Sequence, residues 1–238
     1  MIKDERKKRV LIKISGEALE WEKDHGIDPH FIKKLALEIQ EIQNAGVEIG
    51  IVLWGGNIFR WVAGSANGMD RTAADYMWML ATVMNWVAMQ DALESVWVET
   101  RLMSALDIPE VGEKYIKRRG ERHLEKGRVV ICVAGTGNPY FTTDTAGVLR
   151  ALELDCDMMI KATKVNGVYD KDPKIFSDAK LIESASFEQV IKNDIRVMDQ
   201  TWIALARDGK LMLKVVNLYK SWAILRACLW EKEGTTIQ

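Results

Sequence analysis

The segment AGTGNPYFTTDTAG, residues 134–147, sets Thr136, Thr142 and Thr143 beside Gly135, Gly137 and Asn138, directly after an apolar run. A helix is expected to open at Thr143-Asp144, where free backbone N–H groups favour an anion. A simple N-cap would account for Thr143 or Asp144 alone. It would leave Thr136, Gly137, Asn138 and Thr142 unexplained, so the segment reads as a polar cradle for an anionic ligand.

Three further groups suit the same chemistry. Lys13 precedes Ile14-Ser15-Gly16, so its ammonium can reach over a strand end toward an anion held by the turn, although a lysine there is more often simply solvated and KISG is not a P-loop pattern. Gly55-Gly56-Asn57 is followed by Arg60; glycines bare backbone N–H groups and arginine offers a bidentate fork. The same residues also fit a tight strand-to-helix turn with a surface arginine. KATKVNGVYDKDP brings Lys161, Thr163, Tyr169 and Asp172 after an apolar run, combining an aromatic surface with polar groups, although by itself it also fits a lysine-rich loop.

The elements that must position these groups follow from hydrophobic periodicity. Short aliphatic runs predict strands over residues 10–14, 47–53, 96–100, 128–133, 158–161 and 213–218. Asp28-Pro29 is an N-cap with a first-turn proline, and Ile32, Leu35, Ile39 and Ile42 continue at helical spacing to Gly46. A second helix is expected over residues 69–93 through Met79, Leu80, Val83, Met84 and Val87. Alternating strands and helices imply an α/β fold with a mainly parallel sheet covered on both faces. In such sheets ligands gather at the carboxyl ends of the strands, where all four groups fall. No linker or repeat divides residues 1–238, which are expected to form one domain.

Composition narrows the class. With 33 basic and 34 acidic residues and a formal net charge of -1, nothing points to nucleic acid or an anionic membrane. MIKDERKKRV mixes acids with bases and carries no signal-peptide pattern, and no apolar run is long enough to span a bilayer. Three widely spaced cysteines suggest neither a disulfide framework nor a zinc site, and His25, His30 and His123 lack metal-ligand spacing. A reduced, cytoplasmic setting is expected.

KISGEAL, GGNIFR, GMDR, ADYM, MLATVMN, TGNPYFTTDTA, KATKV-GVYDKDP and VMD occur in an order and spacing that resemble the bacterial uridylate kinases of the amino acid kinase superfamily, over essentially the whole chain. The resemblance implies a three-layer α/β/α sandwich with a mainly parallel sheet. It implies transfer of the γ-phosphoryl group of MgATP to UMP, with ATP contacts at Lys13, Ser15, Gly16, Gly56, Arg60, Thr163, Tyr169 and Asp172. UMP contacts are implied at Gly55, Asp75, Thr136, Gly137, Asn138, Pro139, Tyr140, Phe141, Thr142 and Thr143. Lys13, Arg60, Asp144 and Asp199 are the implied catalytic group, the two aspartates orienting the lysine and Mg2+; capping remains their alternative reading, and no protein metal site is assigned. A homohexamer regulated by GTP and UTP is also implied, with Arg101 on the regulatory surface.

The chain departs from the family pattern at several small-residue positions. Trp54 precedes Gly55-Gly56 where a third glycine is usual, Trp61 follows the FR pair in place of glycine, and Trp78, Trp86 and Trp222 stand where glycine or alanine is expected. Asn166 replaces an aspartate, and Gly147 occupies a helical position usually filled by alanine. Added bulk at a packed contact typically costs about 1 to 3 kcal/mol. The alternatives are therefore a nucleotide-binding protein of this fold with weak turnover, and a carboxylate or carbamate kinase of the superfamily.

Overall fold

The computed structural model describes residues 7–15, 26–59, 68–173, 175–192, 195 and 200–238. β1 (Arg9–Ile14) is buried along its whole length and lies between β2 (Glu48–Leu53) and β6 (Met158–Thr163), parallel to both. β2 pairs in turn with β5 (Val129–Val133), and β5 with β3 (Thr100–Ser104), again in parallel. On the other side, β6 pairs in parallel with β10 (Met212–Asn217), which is antiparallel to β11 (Thr235–Ile237). With β4 (Glu113–Lys114) and β9 (Ser184–Ala185) at the edges, the order is β4-β3-β5-β2-β1-β6-β10-β11-β9. β7 (Val168–Tyr169) and β8 (Leu181–Ile182) form a separate two-stranded sheet.

Two apolar layers cover the main sheet. Val10, Ile12 and Ile14 face a core that includes Leu35 and Ile39 of α1 (Pro29–Asn44), Trp86 and Met89 of α2 (Arg71–Ser95), and Ile224 of α7 (Ala223–Cys228). Leu11 faces the other core, with Val148 and Ala151 of α4 (Thr143–Glu153) and Trp202 of α6 (Gln200–Asp208). α3 (Lys117–Glu125) and the short α5 (Phe187–Lys192) complete the set. Side chains alternate across a strand, so Lys13 projects to the Leu11 side, toward α4. On β6, Met159 and Lys161 share that side. α4 lies close to the sheet there. A Cβ on Gly147 would stand 2.7 Å from Met159 Cε and 3.7 Å from Lys13 Cβ, which gives this helical glycine a packing reason.

The caps agree with local chemistry. Asp28 accepts from His30 N at 2.8 Å at the start of α1, with Pro29 in the first turn. α7 has no side-chain N-cap of its own; buried Glu38 of α1 instead accepts from Ile224 N and Leu225 N. Burial pushes the Glu38 carboxyl up from its ordinary value, an effect the two N–H donors only partly offset.

One strand is displaced from its expected place. Residues 96–100 were expected to be extended, but α2 continues to Ser95, Val96 caps it and Trp97 takes a φ of 64°; the strand starts at Thr100. The apolar spacing of Val96 and Val98 mimics a strand, yet Val96 N and Val98 N both turn back to Leu93 O. The tryptophans find different settings. Trp86 is fully buried in the α1/α2 layer, and its indole nitrogen has no hydrogen-bond partner among the described residues. Trp222 is left-handed at φ 60° and ψ 22°. Trp61 lies outside the described residues.

Candidate active site

The carboxyl ends of four adjacent strands, β5, β2, β1 and β6, carry most of the candidate residues. Lys13 and Lys161 are register partners on β1 and β6. Both reach Asp144, in the first turn of α4: Lys13 Nζ lies 2.8 Å from Oδ1 as an ion pair without hydrogen-bond geometry, and Lys161 donates to Oδ2 at 2.9 Å. Burial by itself would raise the Asp144 carboxyl. The Lys13 and Lys161 charges outweigh it and hold the group at about 2. Asp144 is not the cap. Thr142 is, accepting from Thr145 N at 3.2 Å, so the capping alternative for Asp144 falls and its carboxylate serves the two lysines.

The turn after β2 is held from α2. Asn85 donates to Trp54 O at 2.9 Å and exchanges two amide hydrogen bonds with Asn57, which also donates to Gly26 O. Neither Gly55 nor Gly56 has a positive φ; both are needed for space. A Cβ on Gly55 would meet Trp78 O at 2.9 Å and Thr82 N at 3.0 Å, and one on Gly56 would stand 2.7 Å from the Trp54 ring. The indole of Trp54 thus lies against one face of Gly56. Trp78 lies near Gly135, 3.8 Å from where that residue's Cβ would be.

The segment after β5 begins with a left-handed run: Ala134 (φ 61°), Gly135 (φ 59°) and Gly137 (φ 80°). Ala134 N donates to Thr82 Oγ1 at 2.9 Å, and Arg150 of α4 donates to Gly135 O at 3.2 Å while its guanidinium stacks on Tyr115. Asn138 N and Thr136 Oγ1 bond locally, leaving Asn138 exposed. Tyr140 N donates to Asp75 Oδ2 at 2.8 Å, and Arg71 reaches the same oxygen at 3.0 Å while lying over the Tyr140 ring. Asp75 and the segment are therefore tied together. Pro139 is partly buried and Phe141 exposed, while Thr143 is buried with its hydroxyl unpaired among the described residues.

Ser15 continues past β1, with its N–H on Ala162 O. Thr163 ends β6, its carbonyl accepting from Leu218 N. Tyr169 sits on β7, and the Asp172 carbonyl in the following turn accepts from Ile175 N and Phe176 N. Asn166, at the altered position, accepts from Asn217 at the end of β10. Gly16, Arg60 and Asp199 lie outside the described residues. No group of three histidine, cysteine, aspartate or glutamate side chains among the described residues is placed to hold a metal, and both Asp144 oxygens face lysines.

Residues 8–217 match the amino acid kinase family. The chain is 51% identical over 231 residues to a uridylate kinase from Xanthomonas oryzae pv. oryzae, covering 97% of this chain and 96% of that one. The chain belongs to the uridylate kinases of the amino acid kinase family. A uridylate kinase from a Sulfurovum species is 54% identical over 219 residues, covering 92% and 93%. The crystal structure of a UMP kinase from Bacillus anthracis superposes with a TM-score of 0.94 at 37% identity, covering 98% of this chain and 97% of that one. The family's α/β sandwich accords with the parallel sheet between two helical layers. Arg71, Thr82, Asn85 and Arg150 belong to the site's framework and had no role assigned from sequence. The signal was there for two of them: Thr82 and Asn85 are polar side chains on the otherwise apolar inward face of α2.

Proposed function

We infer that this chain transfers the γ-phosphoryl group of ATP to the α-phosphate of UMP, giving UDP and ADP. The observation that carries the reading is the largely buried Lys13–Asp144–Lys161 group at the strand ends beside the 136–143 segment, in a chain about half identical to uridylate kinases. The acceptor needs no general base, because a phosphate monoester with a second pKa of about 6 is already largely dianionic at neutral pH. The task is to align two polyanions and neutralise charge in a loose transition state. Asp144 suits that task by pairing with both lysines and aiming them. Lys13 stabilises the transferred group.

On the donor side we assign Ser15, Gly16, Gly56, Arg60, Thr163, Tyr169 and Asp172 to ATP. Gly55, Asp75 and residues 136–143 take UMP, Asp75 through its ribose hydroxyls and Asn138 at the pyrimidine edge. Mg2+ bound with ATP supplies further charge neutralisation, and Asp199 is our assignment for orienting it. The continuous sheet supports one domain over residues 1–238. Met77, Leu80, Met84 and Val87 form an exposed apolar stripe on α2, which supports a homo-oligomer, a hexamer by family likeness. Regulation by GTP and UTP, with Arg101 on that surface, and a place in cytoplasmic pyrimidine nucleotide synthesis complete the proposal. No helix among the described residues is long and apolar enough to cross a membrane.

A coupled assay of ADP release with UMP, CMP, glutamate and carbamate as acceptors tests the activity. UMP-dependent ADP formation is expected. ADP formation with none of them, or with glutamate or carbamate ahead of UMP, would overturn it. Nothing in the comparisons favours the carboxylate or carbamate reading.

A further inference from the structure

We propose that Thr82 and Asn85 are positioning residues that hold the acceptor segment and the glycine turn at a fixed separation, using α2 as a common ruler. The proposal rests on the UMP kinase reading. Thr82 and Asn85 are three apart, so they share one face of the helix. Both are buried. From that face Thr82 takes the amide of Ala134 at the head of the acceptor segment, while Asn85 takes the carbonyl of Trp54 and the amide of Asn57, on either side of Gly55-Gly56.

Neither contact is a casual one. Ala134 is a non-glycine residue in the left-handed region, a conformation that persists only where the surroundings over-determine it. Thr82 Oγ1 supplies part of that determination: it accepts from Ala134 N at 2.9 Å and donates to Met79 O at 2.6 Å, so both hydroxyl functions are used. Valine keeps the shape of threonine and removes both. The Asn57–Asn85 pair is reciprocal, each amide donating to the other's oxygen, which fixes both side chains in one orientation. Gly55 packs so close to α2 that a Cβ would fall 3.0 Å from Thr82 N, so the turn has no slack against the helix. Acceptor and donor are thus referenced to adjacent turns of one rigid element.

The test is steady-state kinetics on the full chain with UMP and ATP varied separately, beside thermal melting. Thr82→Val is expected to raise the KM for UMP about tenfold, the effect of losing the hydrogen bond to Ala134 N, and to leave the KM for ATP within about twofold. Thr82→Ser restores the hydroxyl and should restore the KM. Asn85→Ala loosens the turn between the two substrates and should raise both KM values. A purely structural role predicts less active enzyme, hence lower kcat with both KM values unchanged. That result, a parallel rise in both KM values for Thr82→Val, or equal behaviour of the Ser and Val variants would overturn the proposal. Thr82→Ala, which loses the same hydroxyl without a branched carbon to repack, gives the same readout if the valine variant does not fold. Wild-type turnover with UMP tests the underlying activity separately.

Discussion

Lys13 and Lys161 are register partners on neighbouring parallel strands, and their ammonium groups converge on opposite oxygens of Asp144. Two like charges side by side would repel. The shared carboxylate turns the pair into a fixed cationic edge at the strand ends.

Removing one member should therefore be felt in the chemical step. Lys13→Met is expected to lower kcat about 100-fold, in the range seen when a group that stabilises transition-state charge is deleted. Asp144 keeps Lys161 as a partner, so the fold should survive. ADP release under saturating ATP and UMP checks it; a change in KM alone would argue for a binding role.

The Asp144 ion pairs also set an acid limit. Its carboxyl is held at about 2 in the fold against an ordinary 3.8, so the stabilisation it brings is complete above the ordinary value and lost as pH falls toward the folded one. The pH-dependent part is roughly 2 kcal/mol. Urea unfolding of wild type and Asp144→Asn between about pH 5 and pH 2 should show a steeper loss in the wild type across that window. Parallel curves would mean the pairs contribute no such linkage.

Trp222 should be a stability liability. It holds a left-handed backbone at φ 60° with its side chain partly exposed, a conformation that glycine adopts without a Cβ clash. Trp222→Gly is expected to gain about 1 kcal/mol, read as a higher urea midpoint at unchanged m-value. Glu38 would still cap α7, so the helix itself should persist.

Trp54 differs in kind. It is not among the residues with positive φ, so its backbone makes no demand for glycine; the issue is the ring lying against Gly56. Trp54→Gly uncovers that face. We expect a several-fold gain in kcat/KM for ATP, measured by the coupled assay, and an unchanged value would show that the turn works with the indole in place.

Much of this site could be read from residue order because strand ends and turns leave local signatures. The polar segment at 136–143, the lysine at 13 and the glycines at 55 and 56 each announce themselves within a few residues. What holds them in place does not. Thr82 and Asn85 look like ordinary interruptions of an apolar helix until Ala134 and Trp54, distant in sequence, arrive beside them. The strand expected at 96–100 failed for a related reason: Val96 and Val98 alternate like a strand, but the hydrogen bonds back to Leu93 O win. Gly147 shows the reverse case, where a residue that looked like a weakened helix proves to make room for Met159 and Lys13.

The central place of β1 has a consequence for how the chain comes off the ribosome. Arg9 precedes its partner Asp157 by 148 residues, and Lys13 likewise comes long before its register partner Lys161. Until then β1 has one open edge and Lys13 lacks both its neighbour strand and the helix bearing Asp144. A nascent fragment that ends before α4 and β6 cannot assemble the Lys13–Asp144–Lys161 group. That group is completed only once β6 has been made, and a chain interrupted before β6 lacks it.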